Sequence, residues 1–219
     1  MLKTQDILQE KLRTVKAVVF DLDGVILDSE PVHHAAINEI CAPYGEALTD
    51  AEYEKLIGRT DIVVTSYLKE RYSFPFSVED FISRYNAKLV QSLQEKKTPR
   101  VAGVRDFVIR LQKEGKLLAI ASSSSKKNIE ASLACAELTE YFPVRCSGED
   151  VKKGKPEPDI YLLAAERLGC RPEECAGIED SDTGLLAVKR AGFLSVGYKN
   201  PHSGPQTLQD AEIILEAFV

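Results

Sequence analysis

Short continuous apolar runs recur along this chain, and most end in acidic or hydroxyl residues. They are Val18-Val19-Phe20 before Asp21, Leu117-Leu118-Ala119-Ile120-Ala121 before Ser122, Ala176-Gly177-Ile178 before Glu179, and Phe193-Leu194-Ser195-Val196. Runs of this length and continuity read as strands buried on both faces. Among the later runs lie segments of helical periodicity from Val104, Ile160 and Leu185, which close on Gly115, Gly169 and Gly192. Glycine just past a helix permits the left-handed turn that terminates it. Helix alternating with strand at this spacing predicts right-handed crossovers and a parallel sheet.

The first strand is separated from the others by a long tract, roughly residues 31 to 98, with no strand pattern. Val32, Ala35, Ala36 and Ile40 form one helical stripe, Val63, Val64, Tyr67 and Leu68 a second, and Val78, Phe81, Ile82, Tyr85 and Leu89 a third. Gly45, Gly58 and Pro75 punctuate these helices. A helical insert here is either a lid over the strand ends or a layer packed permanently on the sheet, and periodicity does not separate the two. Ile7, Leu8 and Leu12 predict a further short helix at the start.

Composition narrows the class. The 219 residues are 44% hydrophobic, enough for a sizeable core, in one domain or a domain with an insert. The balance of 28 basic against 34 acidic residues gives a net charge of −6, the wrong sign for a nucleic-acid or membrane-surface binder. No apolar run approaches the ~20 residues of a membrane span. Residues 1–14 lack the apolar centre of a signal peptide. Cys41, Cys135, Cys146, Cys170 and Cys175 are odd in number and show no paired metal-type spacing, so reduced thiols in a cytoplasmic protein are expected. A monomer is expected as well.

The chemistry lies at the strand ends. Asp21 and Asp23 close the first strand, with Gly24 letting the chain turn sharply away, and open α/β sheets bind ligands at that edge. Ser122-Ser123-Ser124-Ser125 leaves the second strand ahead of a helix, placed to cradle an anion with hydroxyls and backbone N–H groups. Lys155 sits in a loop stiffened by Pro156 and Pro158, and Glu179-Asp180-Ser181-Asp182 ends a third strand. Each feature has an ordinary reading as a turn, a helix cap or a solvated charge. Their conjunction along one sheet edge is what ordinary readings do not produce.

These four segments, Asp21-Leu22-Asp23-Gly24-Val25, Ser122, Lys155-Pro156 and Glu179-Asp180-Ser181, resemble the haloacid dehalogenase superfamily, in the branch with a helical cap inserted after the first motif. The resemblance covers nearly the whole chain from about Val15. It implies an α/β fold with a Rossmann-like three-layer parallel-sheet core, residues 1–30 and 99–219, and an all-helical cap domain, residues 31–98. It implies Asp21 as nucleophile, Asp23 as general acid/base, Ser122 with Ser123 beside it as phosphate ligands, and Lys155 as charge neutraliser. It also implies Mg²⁺ held by Asp21, the backbone carbonyl of Asp23 and Asp180, with Glu179 bound directly or one step removed. The superfamily's dehalogenases lack an acid two residues after the nucleophile, so Asp23 points to phosphoryl transfer.

The expected activity is hydrolysis of a small phosphorylated metabolite, a sugar phosphate. The alternative is a β-phosphoglucomutase-like phosphotransferase. Ser29 and His33 match positions that mutases use, whereas Gly58-Arg59-Thr60-Asp61 puts an acid where a mutase carries a phosphate-holding arginine. Arg59 and Lys88 are the cap cations expected to reach substrate. A phosphorylatable receiver module shares the acid, hydroxyl, lysine and Mg²⁺, but places its target aspartate mid-chain.

Overall fold

The computed structural model describes residues 4–57, 61–95 and 97–219. Its helices are α1 (Thr4–Thr14), α2 (Glu30–Cys41), α3 (Asp50–Tyr53), α4 (Asp61–Tyr72), α5 (Val78–Gln94), α6 (Val104–Lys113), α7 (Lys126–Ala136), α8 (Asp159–Leu168) and α9 (Asp182–Arg190). Strands β1 (Ala17–Phe20), β2 (Leu117–Ser122), β3 (Val144–Ser147), β4 (Cys175–Glu179), β5 (Leu194–Tyr198) and β6 (Ile213–Leu215) form one sheet, ordered β3-β2-β1-β4-β5-β6, with every pairing parallel.

Strand alternation divides the core between two faces. Val18 and Phe20 of β1 join one apolar cluster with Leu8 and Leu12 of α1, Phe107 and Leu111 of α6, and Ile129 and Leu133 of α7. Ala17 and Val19 face the other way, among Ala119, Ala121, Ile160 and Tyr161 of α8, and Ala187 and Val188 of α9. The second face is rich in alanine, so its helices come close. A Cβ on Gly177 of β4 would lie 2.6 Å from Val188 Cγ2 of α9, which only glycine avoids.

Gly115, Gly169 and Gly192 all have positive φ, as their positions past helix ends require. β3 and β6 were not anticipated. Arg145 in the middle of β3 turns its guanidinium to Glu130, at 2.6 Å, which breaks the apolar run; β6 has three residues and pairs only with β5. Ile7 is 39% exposed, leaving Leu8 and Leu12 to anchor α1.

Helices α2 to α5 close on an apolar cluster of their own, including Ile37, Ile40, Leu48, Tyr53, Leu68, Tyr72, Phe74 and Phe81. Capping boxes at Thr49/Glu52 and Ser77/Asp80 start α3 and α5. The buried stripes differ in detail from the sequence expectation. On α2, Ile37 is buried and Ala35 exposed; on α4, Thr65 and Leu68 point inward while Val63 and Tyr67 are 52% and 39% exposed. A helix among other helices buries whichever arc meets its neighbours, and an apolar count does not fix that arc. The chain enters and leaves this unit through adjacent strands of backbone, with the Asp28 N–H donating to the Pro99 carbonyl at 2.9 Å. No described helix is long and apolar enough to cross a membrane.

Candidate active site

After β1 the chain returns to the sheet at β2 on one side and, later, at β4 on the other, so strand order reverses beside β1. Ligands bind in the crevice beyond the strands' carboxyl ends at such a point. Phe20 of β1 is level with Ile178 of β4 and Ile120 of β2, which brings the residues immediately following them to one edge. Asp21 continues the ladder by donating its N–H to the Ile178 carbonyl at 2.9 Å.

Lys155 is at the centre of this edge. Its ammonium lies 2.5 Å from Asp21 Oδ1, 2.6 Å from Glu179 Oε1 and 2.9 Å from the Ala121 carbonyl oxygen. The Lys155 side chain is only 8% exposed, so it is not the solvated charge that loop lysines usually are. Burial alone would lower its pKa, but Asp21 and Glu179 outweigh burial and hold it above the ordinary lysine value.

Asp21, Glu179 and Asp180 are all buried, and each offers a carboxylate oxygen within 4.8 Å of the others. Burial, then the charge of Glu179, pushes Asp21 well above the usual carboxylate range and Asp180 up to about 8; Lys155 opposes both shifts. Three carboxylates ionised together against one ammonium would leave excess negative charge in a dry place, which is what disfavours their charged forms. An oxygen-only donor set of this kind fits a hard divalent cation, which would neutralise that excess. The Asp23 carboxylate is not in this group.

The acids are tightly held. Tyr161 donates its hydroxyl to Glu179 Oε1 at 2.6 Å, and Ser181 donates to Glu179 Oε2 at 3.2 Å. The Ser203 hydroxyl donates to Asp180 Oδ2. Two glycines make room: a Cβ at Gly184 would lie 2.0 Å from the Glu179 carboxyl carbon, and one at Gly24, where φ is +76°, would lie 1.9 Å from Asp180 Oδ2. Asn200 donates its side-chain amide to the Gly24 carbonyl at 2.8 Å, holding the turn after Asp23.

Asp23 is more open than Asp21. Ser29 donates to its Oδ1 at 2.9 Å and Ser124 to its Oδ2 at 3.2 Å. Ser122 is buried, and its Oγ accepts the Ser124 N–H at 3.1 Å, leaving the hydroxyl proton available to an anion. Ser123 is exposed and lines a cleft of about 770 Å³ with Ser124, Ser125, Asn128 and the α5 residues Tyr85, Asn86, Gln91 and Gln94. Within the tract Ser122-Ser123-Ser124-Ser125, four identical residues carry no signal for which one meets Asp23, and it is Ser124. Tyr161, Asn200 and Ser203 likewise had no signature.

Of the expected substrate-facing residues in the helical insert, His33 borders both this cleft and a separate cavity of about 180 Å³ lined also by Glu30, Tyr53, Thr65 and Tyr85. His33 Nδ1 shares a hydrogen bond with the Tyr85 hydroxyl, and it meets Asp23 across a small cavity of about 40 Å³. Lys88 is paired with Glu39 of α2. Arg59 lies outside the described residues.

Residues 18–198 match the model of the family described as haloacid dehalogenase-like hydrolase. A phosphorylated carbohydrates phosphatase of Thermotoga maritima is 33% identical over 205 residues, 93% of this chain and 91% of that protein. Hexitol phosphatase B of Escherichia coli K12 is 32% identical over 194 residues, 87% of this chain and 86% of its own. Among solved structures, a β-phosphoglucomutase of Clostridium difficile superposes with a TM-score of 0.74 at 25% identity, covering 93% of this chain and 92% of that one.

Proposed function

The chain belongs to the haloacid dehalogenase-like hydrolases and is a phosphoric monoester hydrolase, and on that premise we propose that it is a Mg²⁺-dependent phosphatase of small sugar phosphates, acting through an aspartyl-phosphate on Asp21. The observation that carries this reading is Asp23, a second carboxylate beside the nucleophile, held by the hydroxyls of Ser29 and Ser124. Its presence supports a two-step transfer in which one group first gives and then takes a proton.

Attack by a carboxylate on a phosphate monoester meets repulsion of about 4 kcal/mol per charge pair at ~4 Å and an effective dielectric near 20. Asp21, Asp180 and the Asp23 carbonyl would hold Mg²⁺, with Glu179 bound directly or one step removed, and the cation would supply the charge neutralisation that phosphoryl transfer needs. Lys155 adds one positive charge at the attacking oxygen itself. Ser122 and the backbone at Ser123 hold the phosphoryl group. Asp21 attacks phosphorus in line, the P–O bond to the leaving group breaks, and Asp23 donates its proton to the departing oxygen. Asp23, now a carboxylate, takes a proton from water as that water attacks the aspartyl-phosphate, releasing inorganic phosphate and restoring Asp21.

Helices α2 to α5 serve as the cap, with His33 between the Asp23 side and the cap cavities. The phosphotransferase reading draws on the likeness to the β-phosphoglucomutase and uses the same core steps, with a sugar hydroxyl in place of water. Asp61 stands where such enzymes carry a cation for a second phosphate, and this favours hydrolysis. The test is phosphate release over a panel of sugar and polyol monophosphates. Release from at least one of them with Mg²⁺, abolished by EDTA and restored by added Mg²⁺, is expected. Equal release in EDTA and Mg²⁺, or none from any substrate, contradicts the proposal.

A further inference from the structure

We infer that Ser203 is a positioning residue for the divalent-cation site, acting through Asp180 from a loop that also touches the cap. The inference rests on the metal reading above.

Ser203 lies in the connection from β5 to β6, remote in sequence from every motif that identifies the site. It is 4% exposed, and its hydroxyl is committed to Asp180 Oδ2. A carboxylate that accepts a fixed hydrogen bond on one oxygen has its plane set, and the other oxygen stays free for a cation. Gly24 packs against the same carboxylate so closely that no side chain fits there. Oδ2 of Asp180 is therefore held by the Ser203 hydroxyl and crowded by the Gly24 turn at the same oxygen.

The loop itself is fixed at several points. Asn200 holds the Gly24 carbonyl, Gln206 donates to the Ser203 carbonyl at 3.0 Å, and Gln206 Oε1 accepts the Asp182 N–H at 2.9 Å. His202 Nδ1 is 2.7 Å from Asp28 Oδ2, where the chain leaves for the cap. Gly204 is packed against Ile57 of the helical unit, so closely that a Cβ there would lie 3.3 Å from Ile57 Cδ1. The segment that orients Asp180 thus rests on the turn after the nucleophile, on the crossing to the cap and on the cap's own surface. An orienting hydrogen bond of this kind changes metal affinity without touching the metal, typically by about 10–100-fold.

The test is direct binding of Mn²⁺, read from the loss of the free-ion electron paramagnetic resonance signal, with no substrate present. Ser203→Ala is expected to raise the Mn²⁺ Kd by about 10–100-fold. Ser203→Thr, which keeps the hydroxyl, is expected to stay within about threefold of the parent by the same reasoning. If the alanine variant does not fold, Ser203→Gly removes the same hydroxyl and must show the same loss. Mn²⁺ binding by the hydroxyl-free variant within about twofold of the parent overturns the inference while leaving the metal site standing. Absence of Mn²⁺ binding by the parent protein overturns the metal reading and this inference with it.

Discussion

Lys155 Nζ stands 2.5 Å from Oδ1 of Asp21, with the lysine brought there from 134 residues further along the chain. The pair is buried, so the lysine both restrains the carboxylate proposed as nucleophile and offsets its charge. Lys155→Met should lower kcat/KM by at least about 10²–10³, the usual effect of removing one preorganised charge-stabilising donor. It should also destabilise the metal-free fold by about 3–5 kcal/mol, because two buried carboxylates lose their cation. Steady-state kinetics and urea unfolding in EDTA read the two effects, and parent-like turnover would remove Lys155 from the mechanism.

Asp23→Asn keeps the shape of the side chain and removes its proton transfer. A loss of about 10²–10⁴ in kcat is expected for an alkyl phosphate, and a smaller one for an aryl phosphate whose leaving group needs no proton. Ser124→Ala should lower kcat by about 10–150-fold, the equivalent of the ~1.5–3 kcal/mol of a hydrogen bond to a charged group, and leave KM nearly unchanged. Equal losses on alkyl and aryl substrates for Asp23→Asn would count against its leaving-group role.

Gly184→Ala places a methyl on the Glu179 carboxylate, with both oxygens 2.1 Å away. Glu179 must then move, taking with it the bond to Lys155 and its place among the acids. Mg²⁺ titrated calorimetrically should bind at least about tenfold more weakly, the scale of losses seen when groups around a metal are displaced. Gly115→Ala is the comparison: a Cβ there meets nothing within 4 Å. It should cost about 1–2 kcal/mol of stability for the left-handed backbone and leave Mg²⁺ affinity intact. Similar Mg²⁺ affinity in both variants would contradict this role for Gly184.

Asp150 governs part of the acid limb of stability. The Lys126 ammonium, the Ser147 N–H and Arg167 hold its carboxyl down at about 2. An unfolded aspartate titrates near 3.9, so this stabilisation is fully present above that value and is lost as pH falls through about 2. Asp150→Asn should be less stable than the parent at pH 7, with the difference shrinking between about pH 4 and pH 2. Thermal unfolding across that range measures it; a gap that does not change with pH would assign the effect to something other than ionisation.

How much of this was legible in the sequence depends on the kind of signal. β1, β2, β4 and β5 were readable because buried parallel strands are continuous apolar runs, and the glycines after α6, α8 and α9 marked where the helices stop. β3 was hidden because Arg145 interrupts it while serving Glu130 and local carbonyls. Asp21, Asp23, Ser122, Lys155, Glu179 and Asp180 could be named from strand-end motifs, and the fold brings them to one edge. The groups that hold them were not readable. Ser124, Tyr161 and Ser203 are common residue types whose importance comes from where the chain returns in space, and Lys88 pairs with Glu39 on a helix face that periodicity could not orient.

The central claim, hydrolysis in place of phosphoryl return to a sugar, is tested most directly by two assays on the same preparation with Mg²⁺. One follows inorganic phosphate from a panel of sugar and polyol monophosphates. The other follows glucose 6-phosphate from β-glucose 1-phosphate primed with glucose 1,6-bisphosphate. The account predicts phosphate release from at least one monophosphate and little glucose 6-phosphate. Formation of glucose 6-phosphate much faster than phosphate release from every substrate tested would contradict it and establish the phosphotransferase.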